Sequence, residues 1–162
     1  NLIDETGRMV DKDEVSSKTL SKRMIQKDGM KEFVIDGEIT FTQKDVREVQ
    51  LAKAAVYAGI RILMNEKGIR AEDIEKVYIA GFGNYMDIQS ALNIGLLPKE
   101  LSGKVESIGN SAGTGAKMYL LSKYCREDIK RIINVTRYIE LSGRKDFQEY
   151  FVNSMMFGDN AE

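Results

Sequence analysis

Histidine and tryptophan are absent from this chain of 162 residues, and cysteine and proline occur once each. Without histidine there is no imidazole acid–base relay. A single cysteine, Cys125, cannot ligate an iron–sulfur cluster, and with no histidine beside it an ordinary zinc site is excluded as well. It also rules out a disulfide framework, which fits a reducing compartment, so a cytoplasmic location is expected. No apolar run approaches the ~20 residues that a membrane-spanning helix needs. Charge is balanced, with 24 Lys+Arg against 25 Asp+Glu. A net charge of −1 gives no electrostatic drive toward nucleic acid or anionic lipid. Asn1-Leu2-Ile3-Asp4-Glu5 carries neither an initiator Met nor a signal-peptide pattern and reads as the start of a segment of a longer polypeptide. What remains is an ordinary globular composition, 43% hydrophobic and 30% charged, at the length of one domain with an appendage.

The organisation divides at residue 42. Residues 1–42 read as an irregular, hairpin-bearing insertion, with a polar surface helix expected between Asp11 and Lys27. Lys31–Ile35 and Glu38–Thr42 alternate and flank Asp36-Gly37, a two-residue hairpin signal. Residues 43–162 read as one compact α/β lobe. Thr42 with Asp45 forms a capping-box pattern ahead of a helix over 43–66, ended by Gly68. Val46, Val49, Val56, Ile60 and Leu63 are its expected apolar face, beside a small-residue stripe of Ala52, Ala55 and Gly59. Lys76–Ala80 reads as a buried strand, Asp87 caps a helix to Ile94, and Lys104–Ile108 is a second strand feeding a helix to about Tyr124. A helix over Glu127–Val135, a strand over Tyr138–Leu141 and a helix over Asp146–Met156 follow. Strand, Gly-rich turn, helix, repeated, implies parallel strands with crossover helices.

Both strand-to-helix junctions are glycine-rich: Gly81–Tyr85 and Gly109–Ala116. In an α/β sheet, ligands gather at such C-terminal strand ends, where backbone N–H groups and helix N-termini are exposed. Tight turns alone would also explain the glycines. Neither junction is a Walker loop or a dinucleotide fingerprint, since no Lys-Ser or Lys-Thr follows the glycines and no G-x-G-x-x-G is formed. Tyr78 and Tyr85 could stack on a base or simply pack in the core. Glu48 and Lys53 read as a solvated helix face, and Cys125 as structural.

Four ordered motifs carry a family resemblance. They are Ile39–Ala55 with Asp45-Val46-Arg47-Glu48-Val49-Gln50-Leu51-Ala52-Lys53, then Val77–Ile88, then Asn93–Pro98, and finally Ile108-Gly109-Asn110-Ser111 with Gly115-Ala116 followed by Tyr138–Leu141. Together they resemble the C-terminal domain of the reductive activators of corrinoid proteins. The resemblance implies a partial ribonuclease-H-like half of an acetate and sugar kinase, Hsp70 and actin domain, with a small mixed sheet and crossover helices. It implies a parent protein with a two-iron cluster in a separate domain, using ATP and Mg to reduce a Co(II) corrinoid protein to Co(I). By the same resemblance Gly81, Phe82, Gly83, Asn84 and Tyr85 form the adenosine turn, with Gln50 and Lys53 near the ribose. Gly113, Gly115 and Ala116 would form a hinge.

Two departures qualify this picture. The family turn is Ala-Gly-x-Phe-Gly, whereas Ala80-Gly81-Phe82-Gly83 is one residue shorter, displacing the next N–H by ~3.5 Å. The superfamily's Asp-x-Gly-Thr phosphate hairpins are absent from this sequence. No residue here is therefore assigned a catalytic or metal-binding role, and the isolated chain is expected to hydrolyse ATP negligibly. A corrinoid-protein docking module and a lobe of a sugar-kinase-like enzyme remain open as alternatives. An open edge at strand 76–80 leads to the expectation of a homodimer.

Overall fold

Two Asp-Gly dipeptides set the geometry of the first sheet. The computed structural model describes residues 1–81 and 85–158. Asp28 and Gly29 both take positive φ, 51° and 79°, as a tight hairpin turn requires. They join β1 (Met24–Lys27) to β2 (Met30–Asp36), with Met24 opposite Phe33 and Lys27 opposite Met30. Asp36-Gly37 then turns β2 into β3 (Ile39–Thr42), confirming that hairpin. The expected surface helix over 11–27 is corrected: only α1, Lys18–Ser21, is helical, and the rest is turn, loop and β1.

β3 runs directly into α2, Gln43–Lys67. The capping box forms as its sequence pattern requires. Asp45 N–H donates to Thr42 Oγ1 at 3.2 Å, and Thr42 N–H donates to Asp45 Oδ2 at 2.8 Å. Gly68 closes the helix at φ 66°. Thr42→Ala should cost about 1 kcal/mol, and at most about 2, read as a lowered urea midpoint with unchanged slope.

The buried face of α2 matches the expected one in part: Val46 is buried and Ile60 packs against two core clusters, but Val56 and Leu63 do not join them. Val46, Ala54, Ala58 and Ile62 are fully buried, whereas Val56 and Leu63 are about half exposed, at 45% and 53%. The reason is α6, Lys145–Asn153, which runs antiparallel along α2 and takes one side of it. Arg144 pairs with Glu66 at 2.8 Å, and Asn65 Nδ2 donates to the Tyr150 hydroxyl at 2.8 Å. Gly59 admits Leu141 close to the helix backbone.

The second sheet is a parallel pair, β4 (Val77–Ala80) and β5 (Val105–Gly109), with Val77 opposite Val105 and Ala80 opposite Gly109. Between them lie α3 (Ile88–Asn93), capped by Asp87, and a 3-10 turn at Lys99–Leu101; a similar turn at Ala71–Asp73 precedes β4. β4 is only half buried, because Tyr78 is 57% exposed, which corrects the expectation of a buried strand. α4 (Ser111–Leu121) and α5 (Lys123–Val135) follow β5. Tyr138–Leu141, expected as a strand, has no regular secondary structure and joins no sheet among the described residues.

Three apolar clusters hold these parts together, and α2 contributes to each. Val46 joins Met9, Val15 and Met24 beneath the first sheet. Met64 joins Ala71 and Leu101 at the start of β4 and β5. Ile60 touches the cluster of Ala91, Leu92 and Leu97 that seats α3.

Candidate functional site

Parallel pairing brings the two glycine junctions together, as their sequence order requires. Gly81 N–H donates to Gly109 O at 2.8 Å, so the strands end side by side. Gly81 has φ 77°, and among the described residues a Cβ there would meet no atom within 4 Å. That φ selects glycine for its backbone conformation, with no described side chain crowding it. Tyr85 is 94% exposed, so the core-packing reading of this ring does not hold. Phe82, Gly83 and Asn84, the middle of the expected adenosine turn, lie outside the described residues.

Each junction feeds a capped helix. The Asp87 carboxylate accepts from Ser90 N–H at 2.7 Å, and these bonds from Ser90 hold its pKa below the ordinary value. Asn110 Oδ1 accepts from Gly113 N–H at 2.9 Å. A Cβ at Gly113 would come within 2.8 Å of the Asn110 amide, so this glycine permits the cap. Gly115 is half-buried, yet a Cβ there would meet no described atom within 4 Å, and Ala116 is exposed.

Gln50 and Lys53 are engaged elsewhere. Lys53 is 3% exposed, which corrects its reading as part of a solvated face. Its Nζ donates to Ser154 O at 2.6 Å and Met156 O at 2.5 Å, where the chain leaves α6. Phe157 presents its ring 5.2 Å from the same ammonium. Burial pushes the Lys53 pKa down, and among the described residues no carboxylate lies within ion-pair distance of it. Gln50 Nε2 donates to Met155 O at 2.9 Å and Thr6 O at 3.1 Å. The pair thus clamps residues 154–157 and the turn at residues 4–8 onto α2. Lys53 also lines a cavity of about 260 Å³ with Tyr57, Gly95, Lys99 and Asn153; neither Gly81 nor Tyr85 is among its walls. Sequence periodicity offered one signal for this burial: Lys53 sits between Ala52 and Ala54-Ala55, with Ala58 a turn further on.

The turn held by Gln50 is organised by Asp4. Its carboxylate accepts from Thr6 Oγ1 at 2.7 Å, from Thr6 and Arg8 N–H at 3.0 Å, and from Arg8 Nε at 3.0 Å. These bonds, led by the Thr6 hydroxyl, lower its pKa from 3.8 to about 2. A depressed carboxyl pKa stabilises the fold fully above the unfolded value and loses that contribution as pH falls through the folded one. Melts of the parent chain and Asp4→Asn should therefore converge between pH 3.8 and about 2, and differ by a constant amount above pH 5.

With this arrangement in view, comparison with known proteins is decisive. Residues 1–162 match the family described as the C-terminal domain of RACo, the ASKHA domain. The chain belongs to this family. Its ASKHA fold is matched by a solved structure titled reductive activator for corrinoid, iron-sulfur protein, at TM-score 0.79 and 32% identity. That match covers 96% of this chain and 25% of the other. The corrinoid activation enzyme RamQ of Eubacterium limosum is 50% identical over 125 residues, 76% of this chain and 21% of RamQ. The [Co(II) methylated amine-specific corrinoid protein] reductase of Methanosarcina barkeri is 34% identical over 95 residues, 58% of this chain and 17% of that protein. This ASKHA domain therefore spans about a fifth of the length of the curated relatives it matches. Family and fold class, both expected from the motifs, are borne out. No helix among the described residues is long and apolar enough to cross a membrane.

Proposed function

We propose that this chain is the adenosine-side lobe of an ATP-dependent activator that reduces a Co(II) corrinoid protein to Co(I). The observation carrying the proposal is the paired end of β4 and β5, where an open Gly81 and a fully presented Tyr85 ring lie beside two capped helix starts. A purine needs close backbone approach and a face to stack on, and those are the features this end offers. The relatives' names supply the substrate class.

The residues fit the nucleoside of ATP and not its phosphates or Mg. Among the described residues no three Asp, Glu, His or Cys side chains are grouped to hold a metal ion. When bound, ATP supplies the free energy for an otherwise uphill one-electron reduction. In this reading the chain's own part is to bind and orient the nucleoside, with the hinge at Gly113, Gly115 and Ala116 transmitting closure of the lobe. The phosphate clamp, the Mg ligands and the two-iron electron donor belong to residues outside this chain, and Cys125 has no share in the cluster. Gln50 and Lys53 then act on the nucleotide only indirectly, by fixing residues 154–157. Among the described residues β4 pairs along one edge only, which supports self-association through the other, and sedimentation equilibrium reads that directly.

The test is disappearance of the Co(II) paramagnetic signal of a corrinoid protein, given a chemical reductant, MgATP and the protein that carries this lobe. Signal loss should require ATP. Tyr85→Ala should raise the ATP concentration needed by about tenfold, the equivalent of ~1.4 kcal/mol of stacking. Equal reduction without ATP, or an unchanged ATP requirement in Tyr85→Ala, would overturn the reading.

A further inference from the structure

The segment after α5 carries a β pattern with no sheet to join. None of the backbone N–H or C=O groups of Arg137, Tyr138, Ile139 and Glu140 is hydrogen-bonded to another described residue. Its side chains nonetheless alternate as in a strand. Val135, Arg137 and Ile139 face a groove of about 420 Å³ whose far wall includes Leu63 of α2. Tyr138 and Glu140 point the other way, and the Tyr138 hydroxyl donates to the Glu140 carboxylate. Thr136, with φ −77° and ψ 132°, already has extended geometry.

We infer that residues 136–141 are a docking edge for an extended strand of a partner polypeptide, apolar at alternate positions and acidic at its ends. A row of backbone donors and acceptors is matched in full only by another backbone, and an adjoining groove that accepts every second side chain adds specificity. The groove is lined mainly by Leu63, Ile69, Ile74 and Ile139, so the inward side chains are apolar. Of the charged residues at the groove, Glu66 is paired with Arg144, whereas Lys67 and Arg137 form no ion pair with any described residue, which favours acidic flanks. Leu63, half exposed on α2, would be covered. This inference goes beyond the nucleotide reading and stands without it.

Amide hydrogen exchange of the chain tests it, with an acetylated, amidated peptide of alternating valine and threonine flanked by glutamates as the probe. Added peptide should slow exchange about tenfold at alternate amides of 137–141, because successive N–H groups of a strand point to opposite sides. Three controls should each lose at least about tenfold in affinity: the peptide N-methylated at alternate amides, the lysine-flanked peptide, and Leu63→Glu with an unchanged circular dichroism spectrum. No slowing at 137–141 would overturn the inference. So would equal binding of the N-methylated peptide, which would mean apolar adhesion alone, or slowing confined to Val77–Ala80.

Discussion

Leu101→Ala should destabilise the protein by about 3–5 kcal/mol, the range for emptying a well-packed leucine site. Leu101 is 1% exposed and packs with Met64 and Ala71 where β4 and β5 begin, touched by Val77 and Val105. Neighbours on that floor come from α2, both 3-10 turns and both strands, so none can move inward without disturbing another. The cavity therefore stays largely open, and the lost contacts are not regained. The consequence reaches the site because the same strands carry Gly81 and Gly109 at their far ends. Urea unfolding should show the lowered midpoint. Amide exchange should be fastest in β4 and β5, with β1–β3 less affected because Met9, Met24 and Val46 form a different cluster.

Lys53→Glu should cost about 3–5 kcal/mol, while Lys53→Met should cost roughly half as much. The methionine keeps the apolar stem and relieves the burial of a charge, but strands the Ser154 and Met156 carbonyls. The glutamate does worse. It sets a carboxylate against those two oxygens at the C-terminal end of α6, where the helix dipole already favours cations. Urea midpoints of the two variants order these costs. A lysine whose pKa is lowered in the folded state binds fewer protons there than when unfolded, so the wild-type chain gains stability as pH rises toward 10.5. Neither variant should show that gain.

Local chemistry was the part legible in the sequence. Thr42, Asp45 and Gly68 bound α2 through contacts a few residues long, and Asp36-Gly37 fixes β2 against β3 in the same way. The parallel pair was legible too, since strand, glycine turn and helix recur in one order. β1 escaped notice because Gln26 and Lys27 break its apolar alternation, although Asp28-Gly29 is as good a turn as Asp36-Gly37. Tertiary partners decided the rest. Leu63 and Ile62 are equally apolar, and only the placement of α6 and the strands determines which is covered. Lys53 looked solvated because its acceptors are carbonyls about a hundred residues away, which no local pattern encodes. Tyr138–Leu141 has strand propensity, and propensity alone supplies no neighbour. The meeting of the two glycine junctions was legible as a position in the fold, at Gly81 and Gly109. The expected place of Gln50 and Lys53 near the ribose came from the resemblance, and the hydrogen bonds they make run to residues 154–156 and Thr6.

The most direct measurement is the amide chemical-shift footprint of MgATP on the isotopically labelled chain, titrated to about 5 mM so that a weak site is filled. Shifts should concentrate at Gly81, Tyr85, Gly109 and Asn110 and leave Lys53 and Ser154 unmoved. A footprint centred on Lys53, Gly95 and Ser154, or no footprint at all, would contradict the assignment of the β4–β5 end as the nucleoside site.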